Sequence, residues 1–596
     1  MYRQFYLILF LIVAACGSVA RAQDASPTPT PSPTLTPAPT PAVVVNDVQQ
    51  NPPVEIKGVP SIAPNYRSDD RTQPDLGRVG VDMTQQKALS LREAIELALE
   101  NNKDIEVTRK NDRIAEFDIA TARAFYQPHL TGQAYYDRST IPNTGIFSTN
   151  QTTTNNNLVG NAAVTGYYPS QGTVFQGTFN NTRLTSDNPI SILSPQFNSS
   201  LGFSVTQPLF RGRKIDQPRR QIEIAKRNLA LTDVQFRQRS IETVATVQKA
   251  YWDLTYALRN LQVQRDSLRD AKEQLQHNRR LVDEGQLAPI DIVAAETQVA
   301  NFEQTVYDAL NTANLTENVL KNLISPNRTD AIWSQALMPV DNVEIAAPVR
   351  TLADAITLAL GNRPELEINR VQTDINQIDQ RFYREQKKPQ IDFVASYNSS
   401  GIGGSLNPSF SNPFARTTCS VPTSPECVAL VAQQQAFLRQ IGGSATALTD
   451  IFQNKYPTFR FGVNFNIPLW GDKTAAAQLG RAKVEAERLE TQRQQIEQGI
   501  EVEVRNALQA IRTAEARLRF AAIARENSVK QYESEQRKLT EGQSDVYKVL
   551  ERQTALTTAR SNELRARTDL NKAIAELERV TGDTLKANDV VPKLKK

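Results

Sequence analysis

Two kinds of periodicity alternate along this chain. From about Pro218 to Glu284 apolar residues return at three- and four-residue spacing: Val244, Val247, Tyr251, Leu254, Leu258 and Leu261, then Leu268, Leu275 and Val282. Arg265, Lys272 and Arg279 take the alternate seam positions. A second stretch, from about Asp472 to Glu541, carries the same grid with Val504, Leu508, Ile511, Leu518, Ala522, Val529, Tyr532 and Leu539. Sustained heptads with charged flanks predict coiled-coil helices. At about 1.5 Å per residue each would be a rod on the order of 100 Å long.

Between the rods the period changes from three–four to two. Phe459 to Leu469 alternates apolar with polar or small residues, as do Leu201–Thr206 and, more weakly, Ile391–Asn398. About ten residues of such alternation suit a tilted transmembrane β-strand, apolar toward lipid and polar toward a wet lumen. A soluble strand with one buried face has the same period. Prolines bound these segments: Pro128 and Pro208 in one half, Pro389 and Pro468 in the other. A further hairpin near 162–182 reads either as part of the same sheet or as extracellular decoration. The stretch from Ser399 to Tyr456 reads as a loop. An opening helix spans about Ser90–Phe125, with Ser90 and Glu93 spaced as a capping box, and its counterpart runs from Thr351 to just before Pro389. The shorter helices, two per half, match one long rod when laid end to end.

The pattern is written twice. Leu91, Ala94, Ile95, Leu97, Ala98, Leu99 and Asn101 correspond at one constant offset to Leu352, Ala355, Ile356, Leu358, Ala359, Leu360 and Asn362. Gln207-Pro208-Leu209-Phe210 answers Ile467-Pro468-Leu469-Trp470, and Glu284-Gly285-Gln286 answers Glu541-Gly542-Gln543. Matches in the same order across both halves mean a duplicated structural unit. The domain layout that follows is 88–325 for the first repeat, 326–349 for a connector, 350–582 for the second repeat and 583–596 for a polar tail.

Two clear strands per half, even with one more hairpin, cannot close a membrane barrel, for which about eight strands is the minimum. Unpaired strand edges are not tolerated in lipid, where no water satisfies the backbone. The chain is therefore expected to oligomerise and to share its barrel, so the fold class is mainly α with a membrane β-barrel.

Composition narrows the function. With 68 basic and 64 acidic residues, the chain lacks the basic excess that nucleic acid demands of a partner. Two histidines and three cysteines leave little for metal or nucleophile chemistry. His129 and His277 have no ligand partner at metal spacing. No P-loop, nucleophile elbow or H-E-x-x-H occurs, so neither an enzyme nor a cofactor is expected. The apolar run Phe5–Ala15 behind Arg3 reads as an export signal, too short to span a bilayer. Cleavage after the A-x-A box Ala20-Arg21-Ala22 gives a signal peptide of 1–22. The alternative is lipoprotein processing after 1–15, with Cys16 lipidated. Residues 23–87 read as a disordered arm whose Pro/Thr tract favours extended conformations and builds no core. Cys419 and Cys427, in CSVPTSPEC, suit a disulfide stapling an exposed loop in an oxidising compartment. The basic cluster Arg211, Arg213, Lys214, Arg219 and Arg220 follows a strand, where it would meet lipid headgroups or begin a solvated helix.

Duplication, paired strand-flanking prolines, and a glycine turn followed by an amphipathic helix (GQLAPIDIVAAETQ and GQSDVYKVLERQT) together resemble the TolC-like outer membrane efflux proteins, over roughly Ala88 to Gly582. The resemblance implies a homotrimer whose twelve-stranded shared barrel sits in outer-membrane lipid above a periplasmic helical tunnel. It further implies a periplasmic adaptor (membrane fusion) protein and an inner-membrane pump of RND, ABC or MFS type, in tripartite efflux or type I secretion. On this template Gly285 and Gly542 mark the periplasmic tip turns, with Val282, Leu287 and Leu539 beside them as adaptor contacts. Family acids ringing the entrance are only partly reproduced, since Lys548 stands where an acid is expected; the gate candidates are Asp291, Asp545, Lys548 and Glu551, with Lys548 moderating the repulsion of the acids. Lys548 and Glu551, one turn apart, could equally form a surface ion pair. The rival reading is a trimeric surface stalk or adhesin with a shared barrel anchor.

Overall fold

The computed structural model describes residues 78–143, 151–343, 348–410, 424–425, 427–429, 441–469 and 471–592. The export signal with Cys16, the Pro/Thr tract, Cys419 and Trp470 lie outside the described residues. In chain order the elements of the first half are β1 (Asp82–Leu89), α1 (Leu91–Asn101), α2 (Lys103–Ala124), β2 (His129–Pro142), β3 (Thr152–Tyr168), β4 (Thr173–Ser186), β5 (Leu193–Pro208), α3 (Gln217–Asp283), α4 (Pro289–Ile324), a 3-10 turn (Ala331–Trp333) and β6 (Gln335–Pro339). The second half supplies α5 (Leu352–Asn362), α6 (Pro364–Gln386), β7 (Gln390–Leu406), α7 (Gly443–Phe452), β8 (Tyr456–Asn466), α8 (Lys473–Thr540), α9 (Val546–Thr581) and α10 (Thr584–Ala587).

The two rods are continuous helices of 67 and 68 residues, α3 and α8. Val244, Val247, Tyr251 and Leu254 are buried on the heptad seam of α3, as are Val504 and Ile511 on that of α8. Charged seam residues reach across instead of inward: Lys272 pairs with Glu303 at 3.1 Å and Arg279 with Glu296 at 3.2 Å, both on α4.

The opening helix of each half is broken, which corrects the expectation of one uninterrupted helix. Asn102 leaves the helical conformation (φ −59°, ψ 129°), and its side-chain oxygen accepts from Asp104 N–H at 2.9 Å. It ends α1 and caps α2 in one step. In the second half Pro364 imposes the break, because the ring disfavours helical geometry at the residue before it; Arg363 is extended at φ −70°, ψ 123°.

Helices lie side by side in a fixed lateral order. Near the sheet the order is α2–α3–α6–α8, and toward the far end it is α4–α3–α9–α8. Each level is therefore four rods wide, with α3 and α8 running through both.

Around the middle, β1 pairs in parallel with β6 over a core that includes Leu89, Ile95, Tyr251, Trp252 and Leu337. β1 begins inside the stretch read from sequence as a disordered arm, so order starts before residue 88. The tail also contributes, since Leu585 and Val590 pack against this core. One buried ionic group closes it: Glu317 pairs with Arg78 at 2.6 Å and with Lys321 at 3.1 Å, and accepts Leu337 N–H at 2.9 Å.

Above the rods lies one antiparallel sheet in the order β2-β3-β4-β5-β7-β8. Pro128 and Pro389 immediately precede β2 and β7, Pro208 ends β5, and Pro468 follows β8 by two residues. The hairpin near 162–182 is part of this sheet: β2 is paired with β3 from His129 to Pro142, and β4 pairs with β5. The first half thus supplies four strands and the second two. The stretch read as a loop from Ser399 is strand as far as Leu406, and α7 packs back on it through Ser399 Oγ, which donates to Ile451 O at 2.9 Å.

Candidate functional site: the helical tips and the sheet

Both long rods end in the same turn. Gly285 (φ +76°) and Gly542 (φ +70°) adopt the left-handed conformation that costs glycine nothing. At the first turn Gly285 N–H donates to Val282 O at 2.9 Å and Gln286 N–H to Leu281 O at 2.8 Å. At the second, Gly542 N–H donates to Leu539 O at 3.0 Å and Gln543 N–H to Lys538 O at 2.8 Å. These paired bonds are Schellman closures, which satisfy carbonyls the helix end would otherwise leave open. Val282 packs on the apolar cluster of Leu268, Leu275 and Ile292. Leu287 N–H donates to Leu281 O at 3.3 Å, and Leu539 lines a cleft with His277 and Tyr532.

The gate candidates separate by what their side chains do. Asp291 accepts Ala288 N–H at 3.2 Å and so holds the start of α4. Asp545 caps α9, accepting Lys548 N–H at 2.9 Å, and its other oxygen meets Lys548 Nζ at 3.1 Å. That cap bond, followed by the ammonium, draws the Asp545 carboxyl below its ordinary range. Lys548 therefore pairs with Asp545, not with Glu551 as the one-turn spacing suggests. Glu551 instead lines a groove of about 940 Å³ between α4, α8 and α9, beside Gln298, Phe520, Tyr547 and Thr554. Gln298 Nε2 donates to Thr554 Oγ1 at 2.8 Å across that groove.

Sequence reasoning missed a polar seam joining the two halves above the tips. Ser267 and Thr557 hydroxyls meet at 2.8 Å, and Ser561 donates to Asn260 at 2.8 Å. Gln274 donates to Asn278 at 2.8 Å. Gln553 is buried, and neither of its side-chain polar atoms has a hydrogen-bond partner among the described residues. The heptad grid hints at this seam, because polar residues occupy positions that a uniform coiled coil fills with leucine.

The basic cluster is a joint between elements. Arg220 Nε pairs with Asp379 at 2.7 Å while its guanidinium lies 5.2 Å from the Phe382 ring centre. Arg211 donates to Gln386 at 2.6 Å. Cys427 is disulfide-bonded; Cys419, its expected partner, lies outside the described residues. No helix among the described residues is long and apolar enough to cross a membrane.

The molecule is a duplicated array of coiled-coil rods that opens at one end into an alternating antiparallel sheet. Residues 94–325 and 355–583 match the outer membrane efflux protein family, and the chain belongs to that family. It is a family of transport channels and not of enzymes, located in the outer membrane. No curated protein matches the chain. Among solved structures it is similar to CusC (TM-score 0.58, 14% identity, covering 83% of this chain and 92% of that one). It is also similar to the CmeC outer membrane channel of Campylobacter jejuni (0.57, 13%, 83% and 86%). The open state of the MtrE outer membrane channel of Neisseria gonorrhoeae matches as well (0.55, 16%, 83% and 89%). At these identities the likeness is one of fold.

Proposed function

We propose that the protein is the exit duct of a tripartite efflux or type I secretion system. Three copies share one barrel in the outer membrane, and their rods form a tunnel through the periplasm. The duct conducts passively what an inner-membrane pump delivers through a periplasmic adaptor, with the tip turns at Gly285 and Gly542 as the docking end. The observation that carries this reading is the match between strand order and rod order. β2, β5, β7 and β8 stand in the same sequence as α2, α3, α6 and α8, to which they are joined. A lumen above the sheet's polar face therefore continues into the space bounded by the rods. Exposed apolar residues on both flanks, Phe117 and Ile114 on α2 and Val484 and Val502 on α8, suit lateral contacts between copies.

At the entrance we assign Glu551 the role of the acid facing the passage, with Asp291 and Asp545 holding the helix starts and Lys548 moderating the local charge. Protease treatment of intact cells tests the reading against a surface stalk. A duct loses only its outer loops, whereas a stalk loses its helical mass. Loss of the rods from shaved cells would sink the proposal.

A further inference from the structure

Four rods underlie the sheet, yet the sheet has six strands. β3 and β4 are the two with no rod of their own. We propose that this hairpin is a membrane-spanning insertion, so that six strands from each of three copies close an eighteen-stranded exit barrel, not a twelve-stranded one. The proposal rests on the trimeric duct reading above.

The hairpin reaches the full height of the sheet. β3 runs beside β2 from His129↔Thr165 to Pro142↔Thr152. Its turn comes down to the ends of the rods and is gripped there. Arg219 Nη1, on the first turn of α3, donates to Ser170 O at 3.1 Å and to Arg213 O at 2.8 Å. Gln207 Nε2 donates to Gln171 O at 3.3 Å. Gly172 is left-handed (φ +71°), and a Cβ there would lie 2.9 Å from Gly212 O, so the turn fits only as glycine. The Tyr167 ring sits 4.8 Å from that of Phe125, at the end of α2. A decoration on the outer rim would have no reason to be fastened to the helix junction at the opposite end.

The hairpin also shares both faces of the sheet. Leu130, Val164, Gly177, Phe203, Tyr397 and Phe459 form one row across all six strands. The next such row contains Phe175, Val205, Ala395 and Phe461. On the opposite face Gln133, Asn161, Asn180, Ser200, Ser400 and Tyr456 are aligned. In the rows nearest the rods the apolar band crosses β3 and β4 through Val164, Ala162, Phe175 and Phe179, with Asn161, Gln176 and Asn180 on the other face, as lipid-facing and lumen-facing rows require; Asn181 and Arg183 follow toward the far rim.

Closure is consistent with this count. Strands alternate in direction and their number is even, so β8 of one copy meets β2 of a second copy antiparallel, and no edge is left in lipid. With strands about 4.8 Å apart and tilted about 40°, eighteen give a barrel wall roughly 110 Å around and about 36 Å across. Twelve would give about 75 Å and about 24 Å. Four rods from each of three copies, about 9–10 Å apart, make a ring roughly 110–120 Å around. The wider barrel continues the helical tunnel without a taper, and its lining over the hairpin is uncharged: Asn157, Asn161, Gln176, Asn180 and Thr182.

The test uses the full-length protein in lipid nanodiscs. Native mass spectrometry counts the copies. Single substitutions Phe175→Cys and Phe179→Cys, against Gln176→Cys and Asn180→Cys, carry an environment-sensitive fluorophore, with a quencher attached to the lipid acyl chains. Three copies are expected, with emission shifted to the blue and mostly quenched at 175 and 179, and solvent-like and unquenched at 176 and 180. Three copies without that alternation would place the hairpin outside the bilayer, overturning the wide barrel while leaving the duct intact. Any other copy number overturns the trimeric reading and the strand count together.

Discussion

Glu317 shows how a single side chain can hold three segments of this fold. Its carboxylate is fully buried between Arg78, from the chain preceding β1, and Lys321, one turn along α4, and it also accepts a backbone N–H from β6. Removing one member of a buried ionic group leaves the others charged and unpaired, at a cost of about 3–5 kcal/mol. Glu317→Ala is expected to lower the melting temperature of the helical circular dichroism signal far more than an exposed replacement such as Glu485→Ala. Equal melting of the two variants would show that the triad is not holding the core. Glu578 makes the opposite case. Burial pushes its carboxyl up from the ordinary 4.5, only partly offset by donors from Gln248 and Asn588; Asp583 pushes it further up, and Arg350 opposes. A carboxyl raised on folding contributes stability that is complete below its unfolded value and is lost as pH rises through the folded one. Glu578→Gln keeps an acceptor for both amides but has no proton to lose. It should match the parent near pH 4 and exceed it at pH 7 in thermal unfolding; a parallel pH dependence in both proteins would contradict this.

At the level of elements, the tip turns are where backbone conformation is most tightly specified. Beyond the adjoining backbone, no atom of the described residues lies within 4 Å of a Cβ built on Gly285 or Gly542, so an alanine there meets no steric clash. What it meets is a left-handed backbone, which costs a side-chain-bearing residue roughly 1–2 kcal/mol. Gly285→Ala and Gly542→Ala should therefore speed amide hydrogen exchange at the rod ends by roughly 5–30-fold while leaving exchange in mid-rod unchanged. These turns were readable from sequence because glycine follows a long apolar stripe and polar capping residues follow the glycine. The rods were readable for a related reason, since a seam such as Val244 to Leu275 repeats many times and errors average out. Breaks and insertions lack that redundancy. Asn102 interrupts an apolar pattern that continues on both sides of it, so only its cap geometry reveals two helices. In the row of Phe459 β4 carries Gly177, in the row of Phe461 β3 carries Gly166, and elsewhere the two strands are rich in asparagine and threonine. Their alternation is shallow, and their place in the sheet follows from pairing and from the Arg219 grip, neither of which is a local property. At the start of α9, spacing brought Lys548 and Glu551 within reach of each other but could not reveal that Asp545 takes Lys548 first.

The whole molecule poses a question of closure, because its unsatisfied surfaces are its two flanks. One flank presents β2 above α2, the other β8 above α8, and the two are different surfaces. If copies join flank to unlike flank, the contact is heterologous and a ring can close; if like meets like, each contact is isologous and joins copies two at a time. Phe117 on α2 and Val484 on α8 are each about two-thirds exposed, at 66% and 64%, and an acid at either position should disrupt the flank that carries it. With unlike flanks joined, Phe117→Asp and Val484→Asp should each abolish the three-copy species in native mass spectra. Co-expressed, the two variants should recover pairs containing one chain of each kind, since the intact α8 flank of the first still fits the intact α2 flank of the second. Such pairs cannot grow, because their outer flanks are both damaged. Like-to-like joining predicts something different: each variant alone would form pairs through its undamaged flank, and mixing would add nothing. The mixed-chain spectrum therefore decides whether the sheet edges and rods close as a ring, which is the condition for any lumen to exist.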